Sequence, residues 1–140
     1  MPLYNLSNAG SATQDFSSRN LTASGPASST AGEFNLKTVT ALADANATLT
    51  GAQLDGGIFT ITPTLARTLT TDTAAAILAA IPGHVDGSHF EFTIVNTAAL
   101  AVDLVAGANV TMVGGLITNN SSGTWRVIRT SATTVSIYRI

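Results

Sequence analysis

Two histidines and an aspartate, His84, Asp86 and His89, fall within the run GHVDGSH, the densest set of potential metal ligands in the chain. Imidazole and carboxylate together are ligands of zinc and related ions. Their placement argues for a structural role instead: His84 sits in the turn from Pro82 to Gly87, whereas His89 opens a strand, and spacing of this kind is weakly specific. The eight carboxylates, Asp15, Glu33, Asp44, Asp55, Asp72, Asp86, Glu91 and Asp103, are scattered singly. Asp72 reads as a helix N-cap, Asp55 and Asp86 precede glycine in turns, and Glu91 and Asp103 fall on solvent faces of strands. No pair is left for general acid and base work of the glycosidase kind. The chain has no GxSxG elbow, P-loop or dinucleotide fingerprint. Asp44-Ala-Asn46 opens like a calcium loop but lacks the later ligands and the bidentate Glu. The sequons at Asn20, Asn46 and Asn109 are expected by chance in a Thr-rich chain. The expectation is a protein that is not an enzyme, with no catalytic residues, no metal site and no cofactor.

The cations are more suggestive. Arg126, Arg129 and Arg139 lie near Trp125 and Tyr138 at the C-terminal end, a combination that stacks on sugars or single-stranded nucleic acid in some proteins. Core packing accounts for Trp125 more simply. Trp125, Val127 and Arg129 share one face of a strand while Arg126 and Ile128 share the other, so the three arginines are expected to reach across a subunit contact.

Composition supports contact with protein. Of 140 residues only 10% are charged and 45% are hydrophobic, with a net charge of -2. A freely soluble monomer usually keeps about 25–35% of its surface charged. Threonine, serine, asparagine and alanine stand here where charges normally would, and they lose less on desolvation at an interface. A net negative chain with few Lys and Arg has no electrostatic reason to bind nucleic acid or an anionic membrane. No run approaches the roughly 20 apolar residues that span a bilayer, and the N-terminus lacks the pattern of a secretory signal, so a soluble chain is expected. Zero cysteines exclude disulfide stapling and leave the compartment open.

The elements that carry these residues are mostly strands. Residues 7–32 are small and polar, with no sustained period, and predict an extended N-terminal arm over 1–33 whose apolar pegs are Tyr4, Leu6, Phe16 and Leu21. The arm either folds back on its own domain or lies on another chain. From residue 34 to 140 the pattern is one β-domain. NLKTVTALA, IFTIT and LARTLT read as strands, the last with Leu65, Arg67 and Leu69 on one side, and Leu49–Gly57 ends in a tight reversal at Asp55, Gly56 and Gly57. A short helix is predicted over about 72–81, capped by Asp72, with Ala74, Ile77, Leu78 and Ile81 on one face and Pro82-Gly83 ending it. HFEFTIVN alternates as a half-buried antiparallel strand, and Val102 and Leu104 alternate around Asp103. Asn109–Val113 is a further strand and Asn119–Gly123 a loop. TWRVIRT and TVSIYRI then form a terminal hairpin turning at Ser131-Ala132, with Ile140 paired inside the sheet. The expected fold is mainly β, an antiparallel β-sandwich or jelly-roll-like barrel with one short α-helix and an extended arm.

The segment ATLTGAQLDGGIFTITPTLARTLTTDTAAAILAAIP, followed by HFEFTIVNTA, VDLVAGANVTMVGG and TWRVIRTSATTVSIYRI, resembles small structural proteins of tailed bacteriophages, those of cyanophages in particular. The resemblance covers about the last 100 residues and rests on no catalytic motif. It implies a virion structural protein of the capsid decoration, or cement, type: a homotrimer on the outer surface of the viral capsid whose partner is the major capsid protein. It implies equally a fibre component, and the second expectation is therefore a fibre or spike part that binds host carbohydrate. Under the first, Tyr4, Leu6, Phe16 and Leu21 contact the capsid.

Overall fold

The computed structural model describes residues 39–140. The expected arm, with Tyr4, Leu6, Phe16 and Leu21, lies outside the described residues, as does the first part of NLKTVTALA. Ten strands and two short helices follow in the order β1 (Val39–Ala41), β2 (Ala47–Leu49), α1 (Gly51–Leu54), β3 (Ile58–Ile61), β4 (Arg67–Thr71), α2 (Ala74–Ala80), β5 (His89–Asn96), β6 (Val102–Val105), β7 (Val110–Val113), β8 (Leu116–Ile117), β9 (Ser121–Arg129) and β10 (Val135–Arg139). They make a six-stranded sheet in the order β1-β3-β5-β9-β10-β7 and a four-stranded sheet in the order β2-β4-β6-β8.

The mainly β composition agrees with the sequence; the antiparallel expectation does not. Both sheets are mixed. β1, β3 and β5 pair in parallel, and so do β2, β4 and β6. Only β5 with β9, β9 with β10 and β6 with β8 are antiparallel. As far as β6 the chain steps from one sheet to the other and back, each pass laying a strand beside its predecessor in both sheets; β7 breaks this order and lies at the far edge of the larger sheet, parallel to β10. Ile58 pairs with Thr93 and Leu69 with Leu104, both 35 residues apart, so β3-β4 and β5-β6 are successive coils with the same offset. The earlier coil is shorter, with Val39 paired to Ile58 and Ala47 to Leu69. Alternating side chains report only which face of a strand is buried, and these faces look the same whether the neighbour runs parallel or antiparallel.

Both helices lie at the same turn of successive coils. Thr50 and Gln53 form a capping box around α1: the Thr50 hydroxyl accepts from the Gln53 N–H at 3.3 Å and the Gln53 side chain accepts from the Thr50 N–H at 2.9 Å. This turn of helix precedes the reversal expected at Asp55, Gly56 and Gly57, where Gly56 takes a φ of 68°. α2 is capped by Thr73, whose hydroxyl accepts from the Ala76 N–H at 3.2 Å, rather than by Asp72. Asp72 is placed one residue earlier, where its Oδ2 accepts from the Gly51 N–H at 3.2 Å and ties one coil to the previous one. Ala74, Ile77 and Ile81 are buried and Leu78 packs against the core, as the helical spacing predicts. Leu65 precedes β4 and is exposed, while β9 begins at Ser121 and takes in part of the expected loop.

One core serves both sheets. Leu49, Leu69, Val102, Leu104 and Ile117 from the smaller sheet join Phe59, Ile61, Phe92, Ile94, Trp125, Val127, Val135 and Ile137 from the larger, with Leu54 and Ile77 from the helices. Three aromatic side chains cross adjacent strands: Phe59 meets Phe92 edge-on at 6.3 Å and 74°, and Phe92 stacks on Trp125 at 5.5 Å and 15°. The Trp125 indole N–H donates to the Gly114 carbonyl at 2.7 Å. Gly123 makes room for this indole, since a Cβ there would lie 2.4 Å from the ring. At the turn after β6, Gly107 fits against the preceding coil: its N–H donates to the Thr71 hydroxyl at 2.9 Å, and a Cβ would lie 2.3 Å from the Asp72 carbonyl oxygen. Because that neighbour is backbone, Gly107→Ala is expected to destabilise the fold by about 1–3 kcal/mol, read as a lower urea midpoint with unchanged slope.

Candidate functional surface

Several charged and polar groups of the described residues tie one coil to the next. Asp44, at the corner after β1, accepts from the Arg67 Nε at 2.6 Å and, through its other oxygen, from the Thr64 N–H at 3.1 Å and the Thr64 hydroxyl. The Asn46 side chain accepts from the Thr68 N–H at 2.9 Å. These two residues, which open like a calcium loop in sequence, clip the corner of one coil to the next. At the following corner the Thr62 and Thr97 hydroxyls bond at 2.6 Å. Asn96, buried, donates to the carbonyls of Leu100 and Thr118 at 2.6 and 3.2 Å and accepts from the Ala98 N–H at 3.1 Å. The hydrogen bond from Arg67, and after it the one from the Thr64 hydroxyl, hold the Asp44 carboxyl well below the usual carboxylate range; Asp44 in turn raises Arg67.

His84, Asp86 and His89 are not brought together around a ligand. Asp86 accepts from the Arg129 Nε at 2.9 Å, and the Arg129 guanidinium also donates to the His84 carbonyl. His89 stands exposed at the start of β5. No group of three His, Cys, Asp or Glu side chains is placed to hold a metal ion among the described residues, and no helix there is long and apolar enough to cross a membrane.

The three arginines expected at a subunit contact all have partners within the chain. Arg126 donates to one oxygen of Glu91 through Nε and Nη2, at 3.1 and 2.7 Å. Arg129 braces the loop before β5, as described. Arg139 donates to the carbonyls of Leu116 and Ser122 and lies over the Trp125 ring, 5.6 Å from its centroid. Trp125 is fully buried between Phe92 and Arg139 and offers no face to a sugar or base. Arg139 is nonetheless exposed, whereas Arg126 and Arg129 are half-buried.

What the body presents is the outer face of the six-stranded sheet. Register and alternation place Val39 and Ala41, Ile58 and Thr60, His89 to Val95 at every second position, Ser122 to Ile128 likewise, Ser136 and Tyr138, and Thr111 and Val113 on this face. Glu91 and Arg126 sit opposite one another in its middle and neutralise each other. Thr93 and Thr124 share a hydrogen bond at 3.0 Å. Apart from His89 and Tyr138 at its border, the rest is threonine, serine and aliphatic side chains, and Val39, Val113 and Tyr138 stand exposed at the rim. Sequence reasoning missed this surface because it depends on strand order; the alternation of HFEFTIVN and TWRVIRT was its legible part. At one end of the β5-β9 pair an open depression of about 430 Å³ is lined by Val95, Asn96, Thr97, Asn120, Ser121 and Ser122.

No protein-family model, curated protein or solved structure matches this chain.

The Asp44 clip has a pH signature. Because its folded pKa is depressed, its contribution is complete above the unfolded value of about 4 and disappears as the pH falls through the lower folded value. Asp44→Asn is expected to lower the thermal midpoint at pH 7, with the gap from the unsubstituted chain narrowing steadily under acid; a gap constant between pH 7 and pH 2 would exclude this role.

Proposed function

We propose that this protein is a non-enzymatic structural component of a virus particle, a capsid decoration protein that binds the outer surface of a bacteriophage head as a homotrimer and stabilises the shell. The observation that carries the reading is the neutral face of the six-stranded sheet: broad, rich in threonine and aliphatic side chains, with its central ion pair neutralised internally. Such a surface costs little to desolvate against protein. The two-sheet body, read as a sandwich of coiled chain, is held by clips at its corners and suits a part that must keep its shape under load.

A decoration protein stabilises a shell by mass action. It binds a surface that exists only when capsid subunits are correctly placed, and its binding free energy adds to that of the shell. The partner is the major capsid protein, and the N-terminal segment, through Tyr4, Leu6, Phe16 or Leu21, supplies part of the grip. Nucleic acid and membrane take no part.

The polar depression between Val95 and Ser122 favours a second reading, a fibre or spike part that binds host carbohydrate, since its hydroxyls and amides are groups that recognise sugars. No aromatic side chain lines it, which places this reading second.

The test is binding to purified phage heads lacking the protein, followed by electron microscopy. Saturable occupancy of head-surface positions and a raised rupture temperature of the heads are expected. Removing residues 1–32 is expected to leave the β-domain folded by circular dichroism while lowering head occupancy. Binding confined to tail fibres, or saturable glycan binding abolished by Ser122→Arg in the depression, would replace the first reading with the second.

A further inference from the structure

The six-stranded sheet ends in two strands that run the same way. β1, β3 and β5 are parallel, β9 reverses, and β10 and β7 return to the first direction. Unpaired edge strands template the addition of another strand, and proteins that avoid this protect them with charge, proline or a bulge. VTA in β1 and VTMV in β7 have neither charge nor proline.

Among the described residues, the backbone groups left unpaired at the two edges match. The Val135 N–H donates to the Asn109 carbonyl, so Asn109, Thr111 and Val113 turn their amides towards β10 and Met112 presents its N–H and C=O to the open side. The Leu42 N–H donates to the Thr60 carbonyl, so Thr40 and Leu42 face β3 while Val39 and Ala41 present theirs to the open side. A parallel ladder needs this arrangement: one residue bonds to the two residues that flank its opposite number. Met112 placed opposite Thr40 of a second copy would donate to the Val39 carbonyl and accept from the Ala41 N–H.

The side chains agree with the same register. Met112 and Thr40 both point to the core side. Thr111 then falls beside Val39 and Val113 beside Ala41, on the outer face. Val39 and Val113, 63% and 56% exposed, are the apolar residues that this pairing would cover at the two opposite edges. A slip of one residue would put core-side against outer-side positions, so only even slips compete.

We infer that β7 of one copy pairs in parallel with β1 of the next, joining six-stranded sheets head to tail. The contact is heterologous and closes into a ring when the rotation between copies allows it. The inference deepens the trimer reading given above by naming the strands that join the three copies.

The chain has no cysteine, so introduced thiols report the contact cleanly. Ala41→Cys, Val113→Cys and the double variant are prepared in the full chain, with mass measured by light scattering and cross-links made by mild oxidation. The double variant is expected to give covalent dimers and trimers, and a mixture of the two single variants to give dimers. Each single variant alone should remain uncross-linked. Val113→Lys, at an exposed position, is expected to keep the tryptophan fluorescence of the native fold and lose the trimer. Trimers by light scattering without 41–113 cross-links would overturn the strand pairing and leave the trimer reading standing. Efficient cross-linking of Val113→Cys alone would replace it with a two-fold contact, and a monomer at tens of micromolar would overturn both.

Discussion

The stack of Phe92 on Trp125 joins the two halves of this fold. β5, which carries Phe92, is parallel to β3 on one side and antiparallel to β9 on the other. Phe59, Phe92 and Trp125 therefore run from the coiled part of the chain into the C-terminal hairpin. Burial of each ring removes a large apolar area from water, at about 25 cal/mol per Å². The polar ends of the row are satisfied locally: Gly114 accepts the indole N–H, and Arg139 lies over the indole while bonding two carbonyls. Gly123 is required by the same packing, since any side chain there would enter the ring.

Around this row the charged groups act as fasteners. In a chain with so few ions, Asp44, Asp72, Asp86 and Glu91 each take a hydrogen-bond partner distant in sequence. Three of these contacts bind a corner or loop to a neighbouring element, which restricts the turns of a stacked coil where the backbone leaves the ladders. This arrangement also explains why the motifs with the look of chemistry are quiet. Asp44 and Asn46 have spent their oxygens on Thr64, Arg67 and Thr68, and Asp86 has Arg129.

A body fastened in this way has little charge left for its surface. The broad sheet face is uncharged apart from one internal pair and a histidine at its border, and its two edges carry no repelling group. For a freely diffusing monomer these are hazards of association. For a part that spends its life against neighbours they are interfaces, and that difference is the physical basis for reading the molecule as a component of a shell.

The individual elements were largely legible. HFEFTIVN declared its buried face through Phe90, Phe92 and Ile94, TWRVIRT and TVSIYRI formed the hairpin that their turn implied, and Ala74, Ile77, Leu78 and Ile81 placed the helix face. The capping box of Thr50 and Gln53 was also present in the sequence, a signal for α1 hidden by the glycines that follow. Strand direction and order were beyond reach. Period-two alternation is identical for parallel and antiparallel neighbours, and the coils differ in length because α2 and its loop are inserted in the second, so no repeat of constant period shows. The partners of Asp44, Asp72 and Arg129 likewise required the fold, since each contact spans more than 20 residues. Local chemistry in the sequence determined which residues are buried, capped or turned; only tertiary structure decided which edges and which face they leave exposed, because those follow from how distant strands are laid side by side.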